Sequence, residues 1–173
     1  MKVLETERLL LRHATTDDAE FILELVNDPA WLQFIGDKNV HTMEDARAYV
    51  SNRFTAVYRQ FGFGSFLTEL KENGSPIGIC GLTKKDGLES VDLGFALLPE
   101  FRGKGYGFEA ASAVMDYATN VVGLKELVAL TSPANRVAAK LLEKLGFCFE
   151  KMVRLTPEGP KLRLFALART RSS

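Results

Sequence analysis

The 173-residue sequence predicts a mixed α+β domain, a mostly antiparallel sheet of about seven strands flanked by four helices. Three observations carry this. Between Ser65 and Leu97, short apolar runs separated by tight turns form a meander, the mark of antiparallel pairing. After Leu97 the pattern switches to helix, strand, helix, strand, strand, and the helix between the fourth and fifth strands forces those two to run parallel. The strand–helix alternation of a doubly wound sheet is missing from the first hundred residues.

In chain order, Arg8 to His13 is a Leu-rich first strand. Thr15 or Thr16 before Asp17 and Asp18 marks a helix start, and Phe21, Ile22, Leu25 and Val26 recur at helical spacing until Asp28-Pro29 ends the run. Residues 30–41 read as a loop. Thr42 with Asp45 opens a second helix that extends to about Gln60, where Phe61-Gly62-Phe63-Gly64 breaks it. Ser65 to Leu70 and Ile77 to Thr83 form a hairpin around Glu72-Asn73-Gly74, and Val91 to Leu97 follows the turn at 84–88. A glycine-rich loop from Arg102 to Gly107 leads into a helix through about Val122. The chain finishes with a strand at Glu126 to Thr131, a helix at Asn135 to Leu145, and strands at Phe147 to Arg154 and Lys161 to Ala168. No repeat or linker divides 1–173, so one domain is expected.

Lys plus Arg equals Asp plus Glu, at 22 each, so nothing in the charge calls for nucleic acid or an anionic membrane as partner. No apolar stretch approaches the roughly 20 residues of a membrane helix, and the opening residues lack the apolar core of a signal peptide. Cys80 and Cys148 lie in apolar strands without CxxC spacing or a His partner; they read as buried free thiols, which suits a cytoplasmic protein and implies no metal.

The chemistry concentrates in Pro99-Glu100-Phe101-Arg102-Gly103-Lys104-Gly105-Tyr106-Gly107. Glycines leave backbone N–H groups unobstructed, and the helix that follows adds a positive dipole end, so the segment is an anion site suited to phosphates, with Arg102 and Lys104 at its mouth. A Walker A loop needs Lys-Ser/Thr after its last glycine, and Phe108 stands there. A dinucleotide fingerprint fits Gly105 to Ala110 and would make the protein a nucleotide-dependent oxidoreductase. It requires a parallel βαβ context that the meander denies. A glycine-rich turn with no ligand is the remaining alternative.

Read as R-x-x-G-x-G, with Arg102, Gly105 and Gly107, the loop resembles that of the GNAT acetyltransferase superfamily, and the resemblance covers nearly the whole chain. It looks closest to the Rim-type branch of ribosomal-protein N-terminal acetyltransferases. Matching segments are Glu5-Thr6-Glu7-Arg8-Leu9, Ile77 to Leu82, Asp92-Leu93-Gly94-Phe95, Gly107-Phe108-Glu109-Ala110, and Asn135 through Phe147. The resemblance implies the GNAT acyl-CoA N-acyltransferase fold and acetyl-CoA as co-substrate. Its pyrophosphate would lie on the loop formed by Arg102, Gly103, Lys104, Gly105, Tyr106 and Gly107. The pantetheine arm would bond to the backbone of Phe95, Ala96 and Leu97 like an added strand. Asn135 would cap the last helix and touch that arm, and Lys140 would reach the nucleotide phosphates.

Acetyl transfer to an amine is helped by a base, and Asp92, two residues before Gly94 where this branch often carries Glu, is the first candidate, working through a water. Period-2 alternation puts Asp92 and Gly94 on one face. The other reading of Asp92 is a strand-edge carboxylate meeting solvent. Glu109 is a second candidate, or else an anchor for neighbouring loops. The usual general acids of the family are replaced by Ala138 and Leu142. Trp31 and Phe34 fall in the region that shapes the acceptor site in this superfamily, although aromatics in such a loop more often pack it onto the sheet. The reading is direct attack of a primary amine in a ternary complex. The amine is a protein N-terminus or a small molecule, and the protein is a monomer or homodimer. A CoA-binding regulator with weak catalysis is the alternative.

Overall fold

The computed structural model describes residues 2–167. An eight-stranded sheet runs through the molecule in the order β1-β2-β3-β4-β5-β6-β8-β7. Its strands are β1 (Lys2–Glu5), β2 (Leu9–Arg12), β3 (Ser65–Leu70), β4 (Pro76–Thr83), β5 (Asp92–Leu97), β6 (Val128–Thr131), β7 (Phe147–Val153) and β8 (Leu162–Leu167). Every neighbouring pair is antiparallel except β5 and β6, which are parallel as the intervening helix requires.

Helices cover both faces. On one, α5 (Tyr106–Tyr117) packs on β4 and β5, and α6 (Arg136–Lys144) packs on β6 and β7. The core there joins Phe66, Ile77, Leu93, Val114, Leu142, Phe147 and Phe165. On the other, α1 (Ala19–Val26), α2 (Pro29–Phe34), α3 (Met43–Val50) and the turn Ser51–Thr55 bring Ile22, Leu25, Trp31, Val50 and Phe54 against Leu67 and Leu98, and α4 (Ala56–Phe61) adds the half-buried Tyr58. Capping boxes start α3, Thr42 with Asp45, and the short 3-10 turn Thr16–Asp18 that leads into α1, Thr15 with Asp18, each satisfying two orphan N–H groups.

The structure departs from the sequence expectation in four places. The strand β1 precedes the expected first strand. It is short and carries only Val3 and Leu4 toward the core, too little for periodicity to register. Asp28-Pro29 ends α1 but also starts α2 within the expected loop, with Asp28 as N-cap and Pro29 at the first helical position. The helix expected over 42–60 contains a π turn at Ser51–Thr55, which rotates its apolar stripe between α3 and α4. Cys80 is buried and burial pushes its thiol up to about 12. Cys148 is exposed, because β7 is an edge strand with one face uncovered. The final strand ends at Leu167, and Ala168 lies outside the described residues.

Among the described residues no helix is long and apolar enough to cross a membrane, and no cluster of three His, Cys, Asp or Glu side chains is placed to hold a metal.

The hairpin β3–β4 is closed so tightly that a Cβ at Gly81 would lie 2.2 Å from the Gly64 carbonyl oxygen and 2.5 Å from the Ser65 Cα. Both obstacles are backbone and cannot rotate away. Gly81→Ala is therefore expected to destabilise the fold by about 1–3 kcal/mol, read as a lowered urea midpoint at unchanged m.

Candidate active site

The site begins with an interrupted ladder. Strands β5 and β6 pair only at Asp92 and Val128, where the Val128 N–H donates to the Val91 carbonyl at 3.1 Å, although both strands continue beyond that point. Which β5 groups are left open follows from alternation. The Leu98 N–H donates to Ile77 O (2.9 Å) in the 77↔98 register, so Ala96, Gly94 and Asp92 spend their backbone groups on β4. The opposite set, Leu93, Phe95 and Leu97, faces β6. The Leu82 N–H bonded to Gly64 O (3.0 Å) confirms the phase from the other side of β4. Of the three residues expected to present backbone to a cofactor, Phe95 and Leu97 turn theirs toward the gap, with the Leu97 carbonyl already bonded by Arg102. Ala96 does not: its backbone points to Ile79, and its side chain packs against the second core. Three consecutive residues of one strand cannot all address the same neighbour.

Past β5 the chain turns through Pro99–Phe101 into the glycine loop. Gly103 (φ 75°) and Gly105 (φ 84°) adopt the left-handed backbone that side chains disfavour. Gly105 is the N-cap of α5, no side chain caps that end, and the first intrahelical bond runs from the Glu109 N–H to Gly105 O at 3.1 Å. The N–H groups of Tyr106, Gly107 and Phe108 therefore stand free at a positive dipole end. A Cβ at Gly107 would meet Leu141 Cδ2 at 3.2 Å, so glycine there lets α5 pack closely on α6.

The loop is held from the start of the chain. Glu109 accepts from the Thr6 hydroxyl (2.5 Å), the Arg8 N–H (2.9 Å) and Arg8 Nε (2.7 Å), while Arg8 Nη1 donates to Lys104 O at 3.0 Å. The guanidinium also lies 4.4 Å from the centre of the Tyr106 ring. Burial alone would raise the Glu109 carboxyl, but these bonds outweigh it and hold it below the ordinary glutamate range. Glu109 is thus an anchor for the loop, with no oxygen free of a positioned donor.

Arg102 turns back on its own strand. Its Nη2 and Nε donate to Leu97 O at 2.8 and 3.1 Å, and Nη2 also reaches Asp28 Oδ2 at 2.7 Å. Lys104 and Lys140 are exposed. Asn135 Oδ1 accepts from the Ala138 N–H at 3.1 Å, so it is the N-cap of α6.

Asp92 is 2% exposed, which rules out the solvent-edge reading. Its Oδ1 accepts from the Thr83 hydroxyl at 2.7 Å, and its Oδ2 pairs with Lys85 Nζ at 2.5 Å. Gly94, two residues on and on the same face, has open space where a Cβ would be. Trp31 is buried in the second core, where it packs α2 on the sheet, and Phe34 is half-buried. His13 stacks on Tyr58 at 4.1 Å and His41 is exposed, so neither belongs to this constellation. A groove of about 1380 Å³ opens between residues 87–91 and the β6–β8–β7 part of the sheet and reaches Val91 and Val128 at the closed end of the gap. Its walls carry both signs, with Glu89 and Glu150 beside Lys151 and Arg154.

Sequence reasoning missed Thr83, Lys85 and Asp28. The hairpin register that opposes Thr83 to Asp92 was the available signal for the first; Asp28 was legible only as a helix stop.

A sheet with one open parallel gap beside an uncapped helix N-terminus sets a free backbone edge next to an anion site, an arrangement suited to a ligand that carries both amides and phosphates. The chain belongs to the GNAT family: the family model described as Acetyltransferase (GNAT) domain matches residues 8–148. An uncharacterized N-acetyltransferase of Bacillus subtilis (strain 168), YoaA, is 29% identical over 155 residues, covering 88% of this chain and 86% of its own. The crystal structure of an acetyltransferase from Agrobacterium tumefaciens str. C58 matches with TM-score 0.80 at 26% identity, covering 98% of this chain and 95% of that one. RimL, a ribosomal L7/L12 alpha-N-protein acetyltransferase solved in complex with coenzyme A, shares the fold at TM-score 0.80 and 17% identity, covering 96% and 97%.

Two outcomes follow. Because the Glu109 carboxyl is depressed in the folded state, its stabilisation is complete above its unfolded value of about 4.5 and is lost as pH falls through the lower folded value. Glu109→Gln is expected to lower Tm at about pH 6 and to converge on the parent protein as pH falls below the depressed folded value. Gly94→Ala is expected to leave Tm unchanged or slightly raised, since the added methyl meets nothing and the unfolded chain loses freedom.

Proposed function

We propose that the protein transfers an acetyl group from acetyl-CoA to a primary amine by direct attack in a ternary complex, as a single catalytic domain in the cytoplasm. The observation that carries this is the open backbone edge of β5 at Phe95 and the Leu97 N–H, which leads directly into the uncapped N-terminus of α5. A ligand with amide groups at one end and phosphates at the other matches that run of unpaired donors and acceptors. Acetyl-CoA, when bound, supplies a thioester carbon for the amine and a thiolate that leaves with a proton.

The residues divide the work. The N–H groups of Tyr106, Gly107 and Phe108 receive phosphate, Phe95 and Leu97 receive the pantetheine amides, and the free space at Gly94 admits the acyl end. Asp92 lies on that same face and is the proton acceptor. Its Oδ1 keeps a lone pair beyond the Thr83 bond for a water, while Lys85 holds Oδ2. The amine is assigned to the face of β5 that carries Asp92 and Gly94, and Phe34 to the acceptor side on the family resemblance. The fold shared with RimL supports the Rim-type branch and makes a protein N-terminus the first acceptor to test, ahead of small amines.

One observation favours a second reading. Ala138 and Leu142 supply no proton donor on α6, which suits a regulator that binds CoA without rapid turnover. Release of free thiol across a panel of N-terminal peptides, polyamines, amino acids and aminoglycosides separates the two. Thermal protection by acetyl-CoA with no release from any amine would support the regulator. Asp92→Asn is expected to lower turnover by roughly 100-fold near neutral pH, with the deficit shrinking at higher pH as the amine deprotonates unaided. Equal rates at all pH would remove Asp92 from that role.

A further inference from the structure

Asp28 sits where α1 gives way to α2, and it is fixed on every side. Its N–H donates to Leu25 O at 3.2 Å, its carbonyl accepts from the Leu32 N–H at 3.0 Å, and Pro29 follows it. One carboxylate oxygen, Oδ2, accepts from the Ala30 N–H (3.1 Å), the Trp31 N–H (3.4 Å) and Arg102 Nη2 (2.7 Å). The side chain is 5% exposed. A carboxylate so buried needs a compensating cation, and Arg102 is the one it meets, 74 residues away in sequence.

The other partner of Arg102 explains what the pair does. Nη2 and Nε both converge on the Leu97 carbonyl, the last one on the open side of β5. An unpaired strand edge is free to shift unless something fixes its end. Here a planar fork held by a buried anion grips the final carbonyl, leaving the Leu97 N–H and the Phe95 groups as the part of the edge still open. The pair also ties that edge to the start of α2, which carries Trp31 and Phe34.

We propose that Asp28 is a positioning residue for the cofactor-facing edge, acting through Arg102. On this assignment Arg102 serves the pantetheine end of the ligand by setting the strand, and the phosphates are held by backbone N–H groups. This rests on the CoA reading of the site given above. Two probes separate the roles: CoA itself, and its nucleotide half alone (adenosine 3′-phosphate 5′-diphosphate), both titrated by calorimetry against the full-length protein and its Asp28→Asn and Arg102→Lys variants. Lys keeps the charge and a donor for either acceptor, but its single nitrogen cannot reproduce the planar two-nitrogen grip of Nε and Nη2 on the Leu97 carbonyl.

The expected result is a loss of about tenfold in CoA affinity in each variant, the size of one charge-assisted bond, with the affinity of the nucleotide half changed less than about twofold. Unchanged CoA affinity in both variants would overturn the assignment. So would a parallel loss for CoA and its nucleotide half, because that pattern belongs to a phosphate ligand. Should Asp28→Asn fail to fold, Arg102→Lys, whose side chain is 41% exposed, decides alone. If the parent protein binds neither probe, the CoA reading fails and the assignment with it; if the parent binds and the variants match it, only the assignment fails.

Discussion

A parallel ladder that stops after one bridge is the constraint from which the rest of this structure follows. Backbone polar groups inside a sheet normally find each other, and leaving a row of them open between two neighbouring strands is costly unless water or a ligand takes their place. Here β5 keeps its full pairing with β4, so the strand stays straight and anchored while its other side is released. The gap is tolerated because both strands have independent support, β5 from β4 and β6 from β8.

Around that gap the charged side chains serve as fasteners. Glu109 collects three donors from residues 6 and 8, Arg102 bridges Asp28 and Leu97, and Asp92 is pinned between Thr83 and Lys85. In each case a carboxylate from one element receives donors from another, distant in sequence for Glu109 and Asp28 and local for Asp92. Catalytic precision in such a site depends on how little the backbone edge, the loop and the carboxylate move relative to one another. The three fasteners address those three parts.

Much of this was legible in the sequence. The meander, the single parallel crossover and the glycine loop are local patterns, and local patterns determine element type and order. Asn135 as a cap and Glu109 as an anchor were also within reach, since cap positions and first-turn acids have a limited set of uses. What escaped was tertiary register. Whether Ala96 or Leu97 turns its carbonyl outward depends on the phase of β4 against β5, fixed by the Leu98–Ile77 bond. Asp28 became a site residue only through a partner 74 positions away, and Lys85 through the path of the turn that brings it back to Asp92. Cys148 escaped for a related reason: an apolar run predicts burial only if something covers it, and β7 is the last strand of the sheet.

The hold of residues 6 and 8 on the Lys104–Gly105 turn has a practical consequence. The opening segment of a chain is where expression tags are usually fused and where trimming is usually thought harmless. In this protein it reaches across to the glycine-loop corner, with Thr6 and Arg8 bonded to a glutamate about a hundred positions downstream. A fusion or truncation that disturbs those two residues would be felt as poorer ligand grip, with no lesion visible anywhere near the ligand.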